Sequence, residues 1–216
     1  MALTLQNNTI ITPPRLRETM RWKDMRIGLF GGSFNPVHEG HLHIARLARV
    51  KFDLDFIWWL ITPQNPLKDS KHTRPYIERY NKVDNLLKGF PRQIPTHLET
   101  EIKGNYSFET IFTLKQYFPQ TQFVWICGMD NAYVFHQWDR WEDIINTIPI
   151  AFIARPPATD LVRACPLRMK KNITHKYKTI GRNTNLTKPT IYWLSGSKML
   201  DISSTEIRNN TIKTNT

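Results

Sequence analysis

The stretch MRIGLFGGSFNPVHEGHLHIARLARVK, residues Met25 to Lys51, is the most informative part of the chain for its architecture. Its first part, Met25 to Phe30, is a short apolar run with the length of a buried strand, and Glu39 to Lys51 has the apolar spacing of a helix. The string GGSFNPVHEGH, Gly31 to His41, joins the two. A strand, a glycine-rich loop and a helix in this order predict the first unit of a parallel α/β sheet.

The rest of the chain repeats this alternation of apolar strands and amphipathic helices. We predict further strands at Phe56–Ile61, Pro95–Glu99, Phe123–Cys127, Ile150–Ala154 and Ile191–Ser195. We predict further helices at Arg74–Lys88, Ser107–Tyr117 and Ser203–Asn209. The alternation implies right-handed βαβ units, and therefore an α/β fold with a Rossmann-like doubly wound parallel sheet and helices on both faces. Ligands of such sheets bind outside the carboxyl ends of the strands.

The chain divides into a short N-terminal arm and one domain. Residues 1–24 mix Asn, Thr, Pro and Arg, and we expect them to form a poorly ordered arm. Residues 25–216 are expected to form a single domain, because their length suits one hydrophobic core and we find no internal repeat.

The overall composition indicates a globular protein with anionic partners. No apolar run approaches the roughly 20 residues of a membrane-spanning helix, and the N-terminus lacks the apolar core of a secretory signal. Cys127 and Cys165 form no CxxC pair, which favours a reducing compartment, and we expect the cytoplasm. The net charge is +12, which fits either a solvated surface or a basic rim that attracts nucleotides or RNA.

The string from Gly31 to His41 has the features of a phosphate-binding site. Gly31 and Gly32 permit close backbone approach and positive φ, so that amides there can face a phosphate. The following helix directs the positive end of its dipole at the same place. His38 and His41 share one face of its first turn and can donate hydrogen bonds to phosphate oxygens. Taken alone, the glycines could form an ordinary turn, and the histidines could be a metal pair or a surface pair.

The whole string resembles the HxGH signature of the nucleotidyltransferase superfamily, in the GGxFxPxHxGH form of its adenylyltransferases. A second stretch, ISSTEIR from Ile202 to Arg208, resembles the ISSTxIR motif near the C-terminus of that family. Ser203, Ser204 or Thr205 can cap a helix whose first amides bind an anion, and Arg208 presents a planar fork to phosphate oxygens. Alone, this stretch would be an ordinary capped helix.

The middle of the chain resembles the bacterial nicotinate mononucleotide adenylyltransferases within that superfamily. The resemblance runs in order from about Arg26 to Arg208 and omits only the N-terminal arm and a basic segment from Pro157 to Pro189. Asn35 stands where many relatives have Asp. The matching segments between the two motifs are Pro63–Lys68, Asn105–Ser107, Cys127–Asp130, Gln137-Trp138, Trp141-Glu142 and Arg155-Pro156.

The resemblance implies roles for particular residues. Contacts to the phosphates during the reaction would come from His38, His41 and Arg208. The other ATP-binding residues would be Gly31, Gly32, Ser33, Phe34, Gly128, Asp130, Ser203, Ser204 and Thr205. The nicotinate mononucleotide would be bound by Tyr106, Ser107, Trp138 and Lys68.

Several of these roles have a structural alternative. Asp130 would accept hydrogen bonds from the ATP ribose, or it caps a helix. Trp138 would stack on the nicotinate ring, or it packs in the core, and amides near Tyr106 and Ser107 would receive the nicotinate carboxylate. Lys68 is solvent-exposed unless its loop folds over the phosphates.

The expected reaction is the transfer of AMP from ATP to nicotinate mononucleotide, which gives nicotinate adenine dinucleotide and pyrophosphate. Mg²⁺ would be bound mainly by the triphosphate, and we expect no metal site built from protein residues. Alternative acceptors are nicotinamide mononucleotide and phosphopantetheine. An alternative of another class is an RNA-binding protein on the same fold, although we expect neither nucleic acid nor a membrane as partner. The sequence leaves the oligomeric state open.

Overall fold

The structure, a computed structural model, describes residues 11–63, 73–104, 106–154, 165–177, 181 and 184–194. Within these residues, seven strands form one sheet in the order β3-β2-β1-β4-β5-β7-β6, with every neighbouring pair parallel. The prediction of a Rossmann-like parallel sheet is therefore confirmed. The strands are β1 (Arg26–Gly32), β2 (Phe56–Ile61), β3 (Gln93–Thr96), β4 (Gln122–Gly128), β5 (Ile150–Ile153), β6 (His175–Lys176) and β7 (Ile191–Leu194).

Helices cover both faces of the sheet, as the doubly wound arrangement requires. None of the helices within the described ranges has the length and hydropathy needed to cross a membrane. The helices are α1 (Glu39–Phe52), α2 (Tyr76–Leu86), α3 (Leu98–Ile102), α4 (Ser107–Tyr117), α5 (Met129–Val134) and α6 (Trp141–Thr147).

Two hydrophobic clusters lie on the two faces of the sheet. Successive residues of a strand point to opposite faces, and Trp58 and Trp59 of β2 accordingly belong to different clusters. The Trp59 cluster is closed by α1 and α2, for example through Ala45 and Val83. The Trp58 cluster is closed by α4 and α6. The strand sequences are nearly continuous apolar runs because both faces of the sheet are buried.

The predicted strand at Pro95–Glu99 is wrong in its second half. The strand β3 runs from Gln93 to Thr96, and α3 begins at Leu98. The polar Gln93 belongs to the strand because its buried side chain accepts a hydrogen bond from Nε1 of Trp59 at 2.9 Å. Pro95 is tolerated because β3 is the edge strand, where a missing amide hydrogen breaks no inner ladder.

The buried face of α2 carries a charged residue, while the apolar side chain of Ile77 is 60% exposed. The buried positions are Arg79 and Val83, which lie one turn apart. A charged residue therefore occupies a core-facing position of α2.

Residues 11–24, which we expected in a poorly ordered arm, contain a short 3₁₀ helix at Thr19–Trp22. Trp22 is 1% exposed and meets Phe56 and Trp58 edge-on, with ring centroids 5.4 and 5.0 Å apart. Thr121 Oγ1 donates a hydrogen bond to the Trp22 carbonyl at 2.7 Å. Packing therefore begins before residue 25, while the division of the chain into arm and domain stays a prediction.

Candidate active site

The loop between β1 and α1 lies where the strand order of the sheet reverses. The chain adds β2 and β3 on one side of β1, and β4 and β5 on the other. Phe30 pairs with Ile126, so the carboxyl ends of β1 and β4 lie side by side. The crevice outside such ends is the usual ligand site of an open α/β sheet. His38 and His41, at the start of α1, and the residues after Gly128 therefore flank one crevice.

The two histidines lie against each other at the N-terminus of α1. Their ring centroids are 3.9 Å apart, and the ring of Phe34 packs against that of His41 at 5.3 Å. Nδ1 of His38 accepts a hydrogen bond from the Gly40 amide at 3.1 Å, and Nδ1 of His41 accepts one from the His38 amide at 3.3 Å. Each imidazole is thus oriented by the backbone of its own helical turn.

These backbone hydrogen bonds decide which ring nitrogen carries the proton. A neutral imidazole has one donor and one acceptor nitrogen, so acceptance at Nδ1 places the hydrogen on Nε2. A neutral His38 and a neutral His41 therefore each carry their donor hydrogen on Nε2, and the Nε2 of His38 is buried in this structure.

The backbone of the loop does not use the conformational freedom of its glycines. Among the described glycines only Gly89 has a positive φ, so Gly31 and Gly32 do not adopt the positive φ that they permit. The left-handed residue in the loop is Phe34, with φ of 45°. This conformation costs about 1–3 kcal/mol in a non-glycine residue. The burial of the Phe34 ring, which is 2% exposed and packs on Trp59, offsets that cost.

Gly31 is required by close packing, and we expect Gly31→Ala to lower the free energy of unfolding by about 1–3 kcal/mol. The added Cβ would lie 2.7 Å from Cζ2 and 2.8 Å from Cη2 of Trp125, a core side chain that is 1% exposed. Urea unfolding followed by tryptophan fluorescence measures the loss. Gly181→Ala is the control, since no heavy atom of the described chain lies within 4 Å of a Cβ there. Equal losses in the two variants would contradict the packing argument.

The residues after β4 lie beside the loop. Gly128 ends the strand and is buried, and Asp130 is exposed in the first turn of α5. Asn131 Nδ2 donates a hydrogen bond to the Gly128 carbonyl at 3.5 Å. A carboxylate in a first helical turn interacts favourably with the helix dipole. The position of Asp130 is therefore compatible with a contact to the ATP ribose and also with stabilisation of the N-terminus of α5.

The N-terminus of α4 carries Tyr106 and Ser107. Tyr106 is the N-cap residue and is 41% exposed, while Ser107 is half-buried. The Tyr106 amide donates a hydrogen bond to Oε2 of Glu109 at 3.3 Å. One of the amides expected to receive a carboxylate is therefore already occupied by the protein's own carboxylate. Sequence analysis missed Glu109, although an acid three residues after an N-cap is a known helix-start signal.

Trp138 follows a short 3₁₀ helix at Phe135–Gln137 and is half-buried. Its ring lies 4.7 Å from that of Phe135 with an interplanar angle of 32°. Two backbone hydrogen bonds fix this segment. The Trp138 amide donates to the Phe135 carbonyl at 3.0 Å, and the Trp141 amide donates to the Trp138 carbonyl at 3.2 Å. The indole thus packs on the core through Phe135 and keeps part of its surface accessible.

Sequence analysis also missed Arg79, whose side chain is 1% exposed. Its Nη1 donates to the carbonyls of Ser33 at 2.7 Å and Thr62 at 2.8 Å. Its Nη2 donates to the Pro63 carbonyl at 2.6 Å, and its Nε to the Arg74 carbonyl at 2.9 Å. Burial lowers the pKa of Arg79, and nearby Tyr76 and Glu99 oppose that shift. One guanidinium thus joins the loop after β1 to the segment after β2.

Glu99 is a second buried ionisable group beside this site, and it is 5% exposed. Burial raises the pKa of Glu99 to about 7, against the opposing effects of hydrogen bonds from Thr62 and Thr110 and the charge of Arg79. Thr110 Oγ1 donates to Oε1 of Glu99 at 3.3 Å. Because Thr110 belongs to α4, the Arg79 and Glu99 pair lies between the loop after β1 and the helix that begins with Ser107.

Five predicted site residues lie outside the described residues. The structure therefore places neither Lys68 nor the ISSTEIR stretch. The residues concerned are Lys68, Ser203, Ser204, Thr205 and Arg208.

Comparison with known proteins identifies relatives along most of the chain. The cytidylyltransferase-like family model matches residues 29–210. A probable nicotinate-nucleotide adenylyltransferase of Caulobacter sp. strain K31 is 44% identical over 142 residues, which is 66% of this chain and 75% of that protein. A probable nicotinate-nucleotide adenylyltransferase of Cereibacter sphaeroides strain ATCC 17023 is 36% identical over 184 residues, which is 85% of this chain and 96% of that protein.

Solved structures share the fold. The nicotinic acid mononucleotide adenylyltransferase of Plasmodium falciparum complexed with NaAD superposes with a TM-score of 0.64 at 18% identity, covering 88% of this chain and 89% of that one. The same enzyme complexed with APC gives a TM-score of 0.63 at 18% identity, covering 86% and 83%. At this identity the likeness concerns the fold. By its sequence, the chain belongs to the cytidylyltransferase-like family and, within it, to the nicotinate-nucleotide adenylyltransferases.

Proposed function

We propose that this chain transfers AMP from ATP to nicotinate mononucleotide, giving nicotinate adenine dinucleotide and pyrophosphate. The observation that carries the chemistry is the pair His38 and His41, held with Nδ1 on backbone amides at a helix N-terminus in the switch-point crevice. The choice of acceptor rests on the relatives, which are named for this substrate. The direct test is to identify nicotinate adenine dinucleotide by mass spectrometry, formed in equal amount to pyrophosphate.

The reaction needs alignment more than proton transfer. The mononucleotide phosphate is already an anion, so its oxygen attacks the α-phosphorus of ATP without a general base. The new bond forms between that oxygen and the α-phosphorus, while the bond from the α-phosphorus to the bridging oxygen breaks and pyrophosphate leaves with the electron pair. His41 and His38 donate from Nε2 to α- and β-phosphate oxygens as charge develops on them. Arg208 with the Ser203–Thr205 stretch would hold the β- and γ-phosphates.

The remaining ATP contacts follow from position in the crevice. Gly31, Gly32, Ser33 and Phe34 form the loop over which the triphosphate would lie, and Gly128 with Asp130 would hold the ribose. A magnesium ion bound with ATP would supply neutralising charge for the pyrophosphate. This hard cation prefers oxygen ligands and usually keeps substrate phosphates and waters around it. The polar groups described at the loop are imidazoles and backbone amides. Phosphate oxygens would therefore be the main ligands of the magnesium ion.

The acceptor would bind between α4 and the Trp138 segment. The accessible part of the Trp138 indole would stack on the nicotinate ring, and the first amides of α4 at Tyr106 and Ser107 would receive its carboxylate. Since Glu109 occupies the Tyr106 amide, the substrate carboxylate would displace it or use the following amides. Lys68 would contact the phosphates if its loop folds over them.

We expect Trp138→Ala to raise the KM for nicotinate mononucleotide about tenfold or more and to leave the KM for ATP close to that of the wild type. Stacking of a heteroaromatic ring on an indole contributes roughly 1–3 kcal/mol, and 1.4 kcal/mol corresponds to about tenfold. Steady-state pyrophosphate release at saturating ATP measures the effect. Trp141→Ala is the matched control, because this half-buried indole lies three residues further on, at the start of α6. An unchanged KM in Trp138→Ala would assign the indole to core packing alone.

The proposed partners are ATP and nicotinate mononucleotide, and the proposed location is the cytoplasm. Cys127 and Cys165 are buried and free, which fits a reducing compartment.

A further inference from the structure

We propose that Arg79 is a positioning residue for nucleotidyl transfer, whose buried guanidinium holds the loop after β1 in the geometry that the phosphates require. The proposal rests on the proposed function for the reaction that the loop serves. Its structural part rests on hydrogen bonds alone.

The guanidinium acts where the pairing of the two strands ends. The Thr62 amide donates to the Gly32 carbonyl at 3.0 Å, which continues the ladder between β1 and β2 by one residue. At the next residue, the Ser33 carbonyl accepts from Arg79 Nη1 at 2.7 Å, and the same Nη1 reaches the Thr62 carbonyl at 2.8 Å. Arg79 therefore fixes the two chain segments relative to each other beyond the last strand pair.

The loop after β1 is also held by Arg74, which lies just before α2. Arg79 Nε donates to the Arg74 carbonyl at 2.9 Å, and the Arg74 amide donates to Oδ1 of Asn35 at 3.4 Å. The loop is thus fastened at Ser33 and at Asn35, on both sides of the left-handed Phe34. A change in these attachments would move His38, three residues after Asn35, relative to the phosphates. Displacement of a reacting group by about 1 Å can lower a rate on the order of a hundredfold.

The shape of the guanidinium, as well as its charge, is needed for this arrangement. Arg79 donates in three directions from a planar group to carbonyls of three separate segments. A lysine ammonium donates from a single point and cannot span the same set of oxygens. Arg79→Lys therefore keeps the positive charge and the helix propensity but releases the attachment of the loop.

A second arginine provides a matched control at the amino end of β1. Arg26 begins β1, and its Nη2 donates to the carbonyls of Phe52 at 2.9 Å and Thr184 at 3.0 Å. Arg26→Lys also loses hydrogen bonds to backbone carbonyls, and we expect its unfolding midpoint to lie below that of the wild type. It lies at the amino end of the strand, away from the crevice, so it should leave turnover per folded molecule unchanged.

The experiment compares Arg79→Lys and Arg26→Lys with the wild type in the full chain. Hydrogen exchange followed by mass spectrometry reports on the amides of residues 33–38, and steady-state kinetics gives kcat and both KM values per folded molecule. We expect Arg79→Lys to speed exchange in residues 33–38 and to lower kcat about tenfold or more, with both KM values changed less than about threefold. Arg26→Lys should do neither. A purely structural Arg79 would lower the folded fraction and leave kcat per folded molecule at the wild-type value.

The outcomes separate this proposal from the proposed function. Loop exchange in Arg79→Lys equal to that of Arg26→Lys would overturn the positioning role whatever the acceptor, and so would equal kcat values. If the wild type uses an acceptor other than nicotinate mononucleotide, the proposed function fails, and the comparison of the two variants is made with that acceptor. Faster exchange together with a lower kcat on either acceptor supports the role of Arg79.

Discussion

Replacement of His41 by alanine is expected to lower turnover about a hundredfold or more while the protein remains folded. The loss of one preorganised donor to a developing charge typically costs about 2.7–4 kcal/mol in the transition state, which is about a hundred- to a thousandfold in rate. The reason lies in the orientation of the ring, since its Nδ1 accepts from the His38 amide, which makes Nε2 the donor nitrogen of the neutral imidazole. Pyrophosphate release at saturating ATP and mononucleotide measures the change in kcat.

His43→Ala is the control for this prediction. His43 lies on the same helix two residues further on, and a step of two residues turns its side chain away from the face of His41. Its replacement should keep kcat near the wild-type value. Circular dichroism and the unfolding midpoint verify that both variants fold. Equal turnover of wild type and a folded His41→Ala would remove this histidine from the catalytic machinery.

The second large effect concerns stability against pH at Glu99. Its pKa is raised to about 7 in the folded protein, chiefly by burial, whereas an unfolded glutamate titrates near 4.5. Between these values the native state keeps a proton that the unfolded state has lost, so the free energy of unfolding falls as pH rises from about 4.5 to about 7. The full loss is about 3 kcal/mol, since one pKa unit corresponds to about 1.4 kcal/mol.

Glu99→Gln should abolish this loss because glutamine does not titrate. The free energy of unfolding of the variant, relative to wild type, is expected to increase by up to about 3 kcal/mol between about pH 4 and about pH 8. Urea unfolding at the two pH values gives this difference. Glu101→Gln is the control, because Glu101 is an exposed acid on the same short helix. Parallel stability curves of wild type and Glu99→Gln would contradict the raised pKa.

The main architecture could be predicted because apolar runs and loop motifs are local in sequence. The strand Phe56–Ile61 and the helix Ser107–Tyr117 have the predicted bounds, since both combine clear periodicity with a sharp boundary. The loop from Gly31 to His41 was recognisable because its chemistry needs particular residues at fixed spacing. The structure confirms the strand, loop and helix order around it.

The parts that escaped prediction depend on contacts between distant segments. Arg79 counts as a polar residue in any periodicity pattern, and its burial follows from carbonyls of two loops that the sheet brings together. Phe34 adopts a left-handed conformation that glycine would be expected to take, because its ring finds a buried position beside Trp59. Glu99, a residue of α3, is buried because α4 packs beside α3, which the sequence of α3 alone does not reveal.

The central claim is tested most directly by the choice of acceptor. Pyrophosphate release is measured with ATP and magnesium, with nicotinate mononucleotide, nicotinamide mononucleotide and phosphopantetheine supplied separately. We predict release with the nicotinate form at a rate at least about tenfold above that with either other acceptor. Release only with another acceptor would contradict the assignment of Trp138 and the start of α4 to the nicotinate ring. No release with any of the three from folded protein would contradict the proposed chemistry itself.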